Sequence, residues 1–147
     1  MTEVTGIDHI YLAVSDLAVS RRFYDVVMKT LGFRCGEFEI AGDPHVSYYN
    51  RHFGFVLRPS RGGDAHDPYA PGLHHFCLRV DSDDDVTEAA RALRAEGVEI
   101  DGPRHYPQYA PDYFAFFLRD PDGIRLEVTN YRRERRERHD HWAKAEG

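Results

Sequence analysis

The stretches HIYLAV (residues 9–14) and HFCLRV (residues 75–80) decide the fold. Both begin with histidine and alternate apolar with mixed side chains, as β-strands do. Each is followed by an acidic or serine-containing segment, a helical apolar pattern and then a glycine, Gly32 or Gly97. These landmarks recur at a spacing of 65 to 66 residues, which predicts a duplicated structural unit.

Each unit is predicted to consist of a strand, a helix and three further strands. Ser15 or Asp16 is expected to cap the first helix, and the acidic run Asp83–Asp85 suits the N-terminus of the second. Gly42–Pro44 and Asp120–Gly123 are typical of turns. The prediction is therefore an α+β fold of two tandem βαβββ modules. We expect one domain at residues 1–131, with modules at about 5–58 and 72–130, a linker at 59–71 and a charged extension at 132–147.

The composition narrows the class of protein. The chain has 147 residues and a formal net charge of −6, so it lacks the overall basic character that phosphate backbones select. No apolar run approaches a membrane span, and the N-terminus does not resemble a signal peptide. Cys35 and Cys77 form no CxxC pair. We therefore expect a cytoplasmic protein with reduced thiols that binds neither nucleic acid nor membranes.

The alternation along the strands predicts one apolar and one chemically equipped face. His9 and His75 occupy the same position of the repeat, and Glu127 lies on the mixed face of the last strand. Two imidazoles and one carboxylate would form a facial ligand set for one divalent ion, namely Fe, Ni, Zn, Mn or Co. The alternatives are that these histidines are hydrogen-bonded structural residues and that His74 replaces His75 as a ligand.

These residues belong to four motifs: Asp8-His9-Ile10, Arg22-Phe23-Tyr24, Gly72-Leu73-His74-His75-Phe76 and the segment Arg119–Glu127. Together they resemble the vicinal oxygen chelate superfamily, which includes glyoxalase I, bleomycin-resistance proteins and extradiol dioxygenases. The resemblance covers roughly residues 5 to 131. It implies paired modules that form a cup-shaped mixed sheet around a divalent metal, with helices on the outer face. It also implies metal ligands at His9, His75 and Glu127, and a homodimer.

Two departures bear on the reaction that the resemblance implies. The repeat comparison aligns GFVLR (residues 54–58) with GIRLE (residues 123–127) and so predicts Arg58 opposite Glu127. Arginine cannot ligate a cation, which argues against a fourth protein ligand and against glyoxalase I proper. Phe117 stands where extradiol dioxygenases usually carry a tyrosine. We therefore expect a lyase or isomerase that acts on a small oxygen-bearing substrate. The alternatives are an extradiol-type dioxygenase and a non-catalytic protein that sequesters a drug or another small molecule.

Further side chains are assigned to the predicted cavity. Glu127, Tyr11 and Tyr113 are the candidate catalytic residues, and the tyrosine-rich segment 104–113 is predicted to cover the cavity mouth. For the extension we consider a helix docked on a partner subunit through Trp142 or a frayed tail. The candidate substrate-binding residues are Arg58, Arg79, Arg125, Phe117 and Cys77.

Overall fold

The computed structural model describes residues 1–130 and 133–145, and these contain the predicted duplication. Each module contributes one helix and four strands, in the order strand, helix and three strands. The first module comprises β1 (His9–Val14), α1 (Leu17–Thr30), β2 (Arg34–Ile40), β3 (Asp43–Tyr49) and β4 (Gly54–Pro59). The second comprises β5 (His75–Arg79), α2 (Asp83–Ala95), β6 (Asp101–His105), β7 (Phe114–Arg119) and β8 (Arg125–Thr129), and α3 (Arg133–Ala145) follows.

The strands form two mixed four-stranded sheets with the same topology. The strand order is β1-β4-β3-β2 in the first sheet and β5-β8-β7-β6 in the second. In both, the first and last strands of the module pair in parallel and the other neighbours are antiparallel. This arrangement confirms the α+β prediction of two βαβββ modules. Among the described residues, no helix has the length and apolar character needed to cross a membrane.

Both module helices begin and end at the expected signals. The Asp16 carboxylate accepts a hydrogen bond from the Val19 backbone N–H at 3.1 Å, and Ser82 caps α2 in the same way through Asp85. Gly32 and Gly97 follow the helix ends with φ of 88° and 83°, a conformation that favours glycine. The helices therefore return the chain to each sheet at positions set by the sequence.

The apolar strand faces pack beneath the helices in one continuous core. Leu12 and Val14 of β1 are buried, as are Leu78 of β5 and Leu126 of β8. Full burial of such a side chain contributes about 1.5–3 kcal/mol. The core joins the modules, because the Phe55 ring lies 5.2 Å from the Phe76 ring and 5.1 Å from the Tyr24 ring.

Polar contacts also join the two modules. The Tyr24 hydroxyl on α1 donates to the Asp120 carboxylate at 2.8 Å, and this carboxylate also accepts the backbone N–H groups of Asp122 and Ile124. The Ser15 backbone N–H donates to Asp122 at 3.0 Å. Burial raises the pKa of Asp120 and that of the Tyr24 hydroxyl. The turn before β8 is thereby held against the start of the first helix.

One predicted correspondence between the modules is wrong by two residues. Val56 lies opposite Tyr11 just as Glu127 lies opposite Cys77, so the counterpart of Glu127 is Val56 and not Arg58. Valine provides no ligand atom either. The position of the first module that is equivalent to Glu127 therefore carries no side chain that could bind a metal.

Two glycines that were aligned in the repeat cause this difference. Gly54 is the first residue of β4 and pairs with His9, whereas Gly123 lies in the turn before β8 with φ of 81°. The first predicted turn also differs: it consists of Ala41 and Gly42, while Asp43 and Pro44 already belong to β3. The segment between β4 and β5 contains no helix or strand.

Candidate metal centre and substrate cavity

Two of the three predicted metal ligands meet on the second sheet. Cys77 on β5 lies directly opposite Glu127 on β8, and His75 points from the same face two residues earlier. The Nε2 atom of His75 is 3.2 Å from Oε2 of Glu127. The Glu127 side chain is 4% exposed, and that of His75 is 36% exposed. A buried carboxylate and a half-buried imidazole therefore converge at the open side of this face.

Tyr113 and Cys77 complete the immediate surroundings of Glu127. The Tyr113 hydroxyl donates to Oε1 of Glu127, and burial, followed by this bond, raises the pKa of the phenol. Desolvation of the Cys77 thiol, followed by the negative charge of Glu127, raises its pKa to about 12 although part of the residue is exposed. Both groups consequently carry their protons at neutral pH. Cys77 is a poor nucleophile here, because the thiolate is the reactive form.

His9 lies on the other sheet, away from this pair. It begins β1, its side chain is 57% exposed, and its ring meets the Tyr11 ring edge-on at 5.4 Å. Within residues 1–130 and 133–145, no three His, Cys, Asp or Glu side chains of a single copy are arranged to hold a metal. The structure thus brings His75 and Glu127 together but leaves His9 apart from them.

In both modules, the preceding residue contacts the Nδ1 atom of the repeat histidine. Nδ1 of His9 is 2.6 Å from Oδ1 of Asp8, and Nδ1 of His75 is 2.6 Å from Nδ1 of His74. A histidine that donates from Nδ1 keeps its Nε2 lone pair for a ligand. His75 rather than His74 lies beside Glu127, while the His74 ring meets Tyr69 edge-on at 5.3 Å. His74 is therefore placed to orient His75.

The face around His9 forms an aromatic cavity of about 440 Å³. Tyr11, Phe38 and Tyr49 line it and are 46%, 38% and 46% exposed. Phe38 stacks on His45 with ring centres 4.8 Å apart. Exposed rings on a concave face suit a planar or apolar ligand, or a second protein surface.

The predicted substrate-binding residues fall into different environments. Arg58 donates to Asp43 at 2.5 Å, and Arg61 shares that carboxylate, so the pKa of Asp43 is lowered by its bonds to Arg61 and Arg58. Arg79 ends β5 and also has an interaction partner. Arg125 stacks over the Phe117 ring at 4.7 Å, and Phe117 is buried opposite Glu127. Of these, Phe117 and Cys77 lie directly opposite Glu127, while Arg58 is part of an ion pair.

The tyrosine-rich segment connects β6 to β7 beside the centre. The Tyr106 N–H donates to the Tyr113 carbonyl at 2.8 Å and closes the loop. The Tyr109 ring packs against both Tyr106 and Tyr113, and Tyr106 meets Phe117 edge-on at 5.4 Å. Tyr109 itself is 57% exposed. The segment therefore forms an aromatic wall that leads from solvent towards Glu127.

Sequence reasoning missed two features of this region. The contacts of Asp8 and His74 with the neighbouring histidines had a signal, since each immediately precedes a repeat histidine. The juxtaposition of Arg119 and Arg125 depends on the pairing register of β7 and β8 and was not visible from alternation alone.

The C-terminal extension forms α3, and Trp142 on this helix is 70% exposed.

Comparison with known proteins identifies the family. The model of the glyoxalase/bleomycin resistance protein/dioxygenase superfamily matches residues 6–128. The chain belongs to this superfamily. Bacillus subtilis (strain 168) YqjT is 29% identical over 125 residues, which cover 82% of this chain and 95% of that protein. The Salmonella typhimurium virulence protein STM3117 is 28% identical over 135 residues, which cover 87% and 85%.

Solved structures of this superfamily share the fold. A glyoxylase/bleomycin resistance protein/dioxygenase domain from Frankia sp. EAN1pec superimposes with a TM-score of 0.71 at 25% identity, covering 88% of this chain and all of that one. A lactoylglutathione lyase from Agrobacterium tumefaciens gives a TM-score of 0.64 at 23% identity, covering 88% and 96%. At such identities the likeness establishes the superfamily fold and leaves the reaction to be argued from the site.

Proposed function

We propose that this superfamily member is a divalent-metal-dependent enzyme, a lyase or isomerase that acts on a small oxygen-bearing substrate. The observation that carries the proposal is the 3.2 Å approach of His75 Nε2 to Glu127 Oε2 on a solvent-accessible sheet face. An imidazole nitrogen and a carboxylate oxygen are the donor types that bind Fe, Ni, Zn, Mn or Co.

The donor set fits one such ion when a second copy of the chain is included. His75 and Glu127 of one copy would supply two ligands, and His9 of the other copy would supply the third. His9 suits this role because its Nδ1 atom contacts Asp8 while its ring is exposed. The exposed rings around it would be covered by the same association. We therefore propose a homodimer with composite sites.

The side chains around Glu127 indicate which steps the protein itself performs. The chemistry supplied by a bound divalent ion is the stabilisation of negative charge on vicinal substrate oxygens. The Tyr113 hydroxyl donates a hydrogen bond to Glu127 Oε1 and orients that carboxylate. Tyr11 and Tyr113 are the candidate proton donors, and Glu127 is the candidate base. Phe117, Cys77 and Arg125 would contact the substrate.

A lyase or isomerase fits this wall better than ring cleavage does. Phe117 lies opposite Glu127 and carries no hydroxyl that could hydrogen-bond to a diol substrate. An extradiol-type dioxygenase is for this reason ranked second among the enzymatic candidates.

We propose a cytoplasmic location for the protein. Cys35 and Cys77 form no disulfide, which fits that setting.

The aromatic cavity favours a second class of function, a protein that sequesters a small molecule without turnover. Tyr11, Phe38 and Tyr49 would hold a planar ligand, and neither His75 nor Glu127 would be required. A chelator distinguishes the two functions. It would abolish ligand binding if the metal centre is needed and leave it unchanged for a sequestering protein.

Metal analysis of Glu127→Ala tests the proposal. Protein purified without nickel affinity chromatography should contain about one divalent ion per chain, and the Glu127→Ala variant should lose it. Glu88→Ala is the matched control, because Glu88 lies on the exposed surface of α2 in an ion pair with Arg91. Equal metal content in the wild type and Glu127→Ala, or no metal in either after reconstitution, would contradict the proposal.

A further inference from the structure

A second cleft, of about 790 Å³, lies between α1, the segment 96–101 and the strands β7 and β8. We call it the arginine cleft. Part of its wall is apolar: Phe23 of α1, Val98 and Ile100 line the cleft and are partly buried against the core. Three arginines line the same space, Arg22 from α1, Arg119 from β7 and Arg125 from β8. The cleft thus combines an apolar wall with three arginines, which converge from three different elements of the fold.

Two of these arginines face one another across the sheet. Arg119 and Arg125 are directly opposite in the antiparallel pairing of β7 with β8, so their side chains leave the same face. Like charges in this position repel one another. The Arg125 guanidinium carbon lies 4.7 Å from the centre of the Phe117 ring, a contact that leaves its N–H groups available. The pair is therefore arranged to receive an anion.

No acid among the described residues forms an ion pair with these two arginines. Neither Arg119 nor Arg125 forms an ion pair or hydrogen bond with a side chain in the part of the chain that the structure describes, and the same holds for Arg22. Three acids line the cleft. Asp101 is engaged by Arg104, whereas Glu96 and Glu99 lie in the segment after α2 and contact none of the three arginines within 4.0 Å.

We propose that the arginine cleft binds the carboxylate or phosphate of an amphipathic small molecule. The oxyanion would lie between Arg119 and Arg125, with Arg22 at the rim, and the apolar body would pack on Phe23 and Ile100. Arg125 is also directly opposite His75 in the pairing of β5 with β8. This inference rests on the proposed function in one respect: it makes that anion part of the substrate of the metal centre.

Binding to metal-free protein tests the cleft separately from the metal centre. Isothermal titration with phenylacetate and phenylphosphonate probes the two oxyanions, phenylacetamide removes the charge, and acetate removes the apolar body. We expect both aromatic anions or one of them to bind, acetate to bind more weakly and phenylacetamide not to bind. Absence of binding by either aromatic anion, or equal binding of phenylacetamide, would overturn the proposal.

Charge-neutralising variants locate the binding. Arg119→Gln and Arg125→Gln should each raise the dissociation constant of the anion at least about tenfold, because each removes a charge-assisted hydrogen bond. Arg91→Gln, on the exposed face of α2, is the control and should bind like the wild type. Arg119→Lys keeps the charge but loses the forked donor, so an intermediate affinity is expected. Affinities in Arg119→Gln and Arg125→Gln equal to that of the wild type would overturn the assignment even if the metal analysis succeeds.

Discussion

Nε2 of His75 lies 3.2 Å from Oε2 of Glu127, on two parallel strands that are neighbours in the second sheet but some 50 residues apart in sequence. This pair is half-buried on the histidine side and almost fully buried on the carboxylate side. Burial of a carboxylate is costly unless it has partners, and here they are Tyr113 and His75. These two contacts offset the cost of burying the Glu127 carboxylate.

Tyr113 should influence metal affinity through Glu127. Tyr113→Phe removes the hydroxyl that donates to Oε1, so the carboxylate loses its orienting bond. We expect the dissociation constant for Zn²⁺ to rise by about 10- to 100-fold, as for other partners of metal ligands. Competition against a chromogenic chelator measures this constant. Tyr109→Phe, on the exposed part of the same loop, is the control, and an unchanged constant in Tyr113→Phe would refute the role.

His74 should hold the orientation of the His75 ring. Replacing His74 with alanine removes the Nδ1 partner at 2.6 Å, so the His75 ring is held less firmly beside Glu127. We expect the Zn²⁺ affinity of His74→Ala to fall by about tenfold. His105→Ala should leave the affinity unchanged. Equal Zn²⁺ affinities in His74→Ala and the wild type would argue against this role.

Asp120 should make stability depend on pH in a defined direction. Burial raises the pKa of this carboxyl in the folded state, so its contribution is fully present below the unfolded pKa of about 4 and is lost as pH rises through the folded value. Asp120→Asn keeps an acceptor for the Asp122 and Ile124 N–H groups. We therefore expect the unfolding free energy of the variant, minus that of the wild type, to increase as the pH is raised from about 4 to about 7.

Urea denaturation of Asp120→Asn and the wild type at about pH 4 and pH 7 measures this change in unfolding free energy. Asp64→Asn, at an exposed linker position, is the control and should follow the wild type at each pH. If the difference in unfolding free energy between Asp120→Asn and the wild type does not change with pH, the assigned shift of Asp120 is wrong.

Local sequence signals predicted much of the fold because they act over short distances. Asp16 caps α1 through its own third neighbour, and Gly32 ends that helix with a positive φ, so both could be recognised in isolation. The apolar faces also followed from alternation along single strands. The register of β4 could not be predicted in this way, because Gly54 and Gly123 look equivalent in sequence yet lie in a strand and in a turn.

The candidate site shows the same division. The alternation of side chains along the strands placed His75 and Glu127 on one face, and the structure brings them together. The same alternation placed His9 on the polar face of its own strand, but alternation within a strand does not determine how one sheet lies relative to the other. The distance between His9 and the pair depends on how Phe55 and Phe76 pack between the modules, which is a property of the whole core.

Complementation between two inactive variants tests most directly whether His9, His75 and Glu127 form a metal centre shared by two copies. His9→Ala and Glu127→Ala should each bind no stoichiometric metal alone. When the two are co-expressed, half of a random mixture is heterodimer, and each heterodimer has one intact site, so metal content should recover to about one quarter of the wild-type value. Metal content in the co-expressed mixture no higher than in either variant alone would contradict the shared centre.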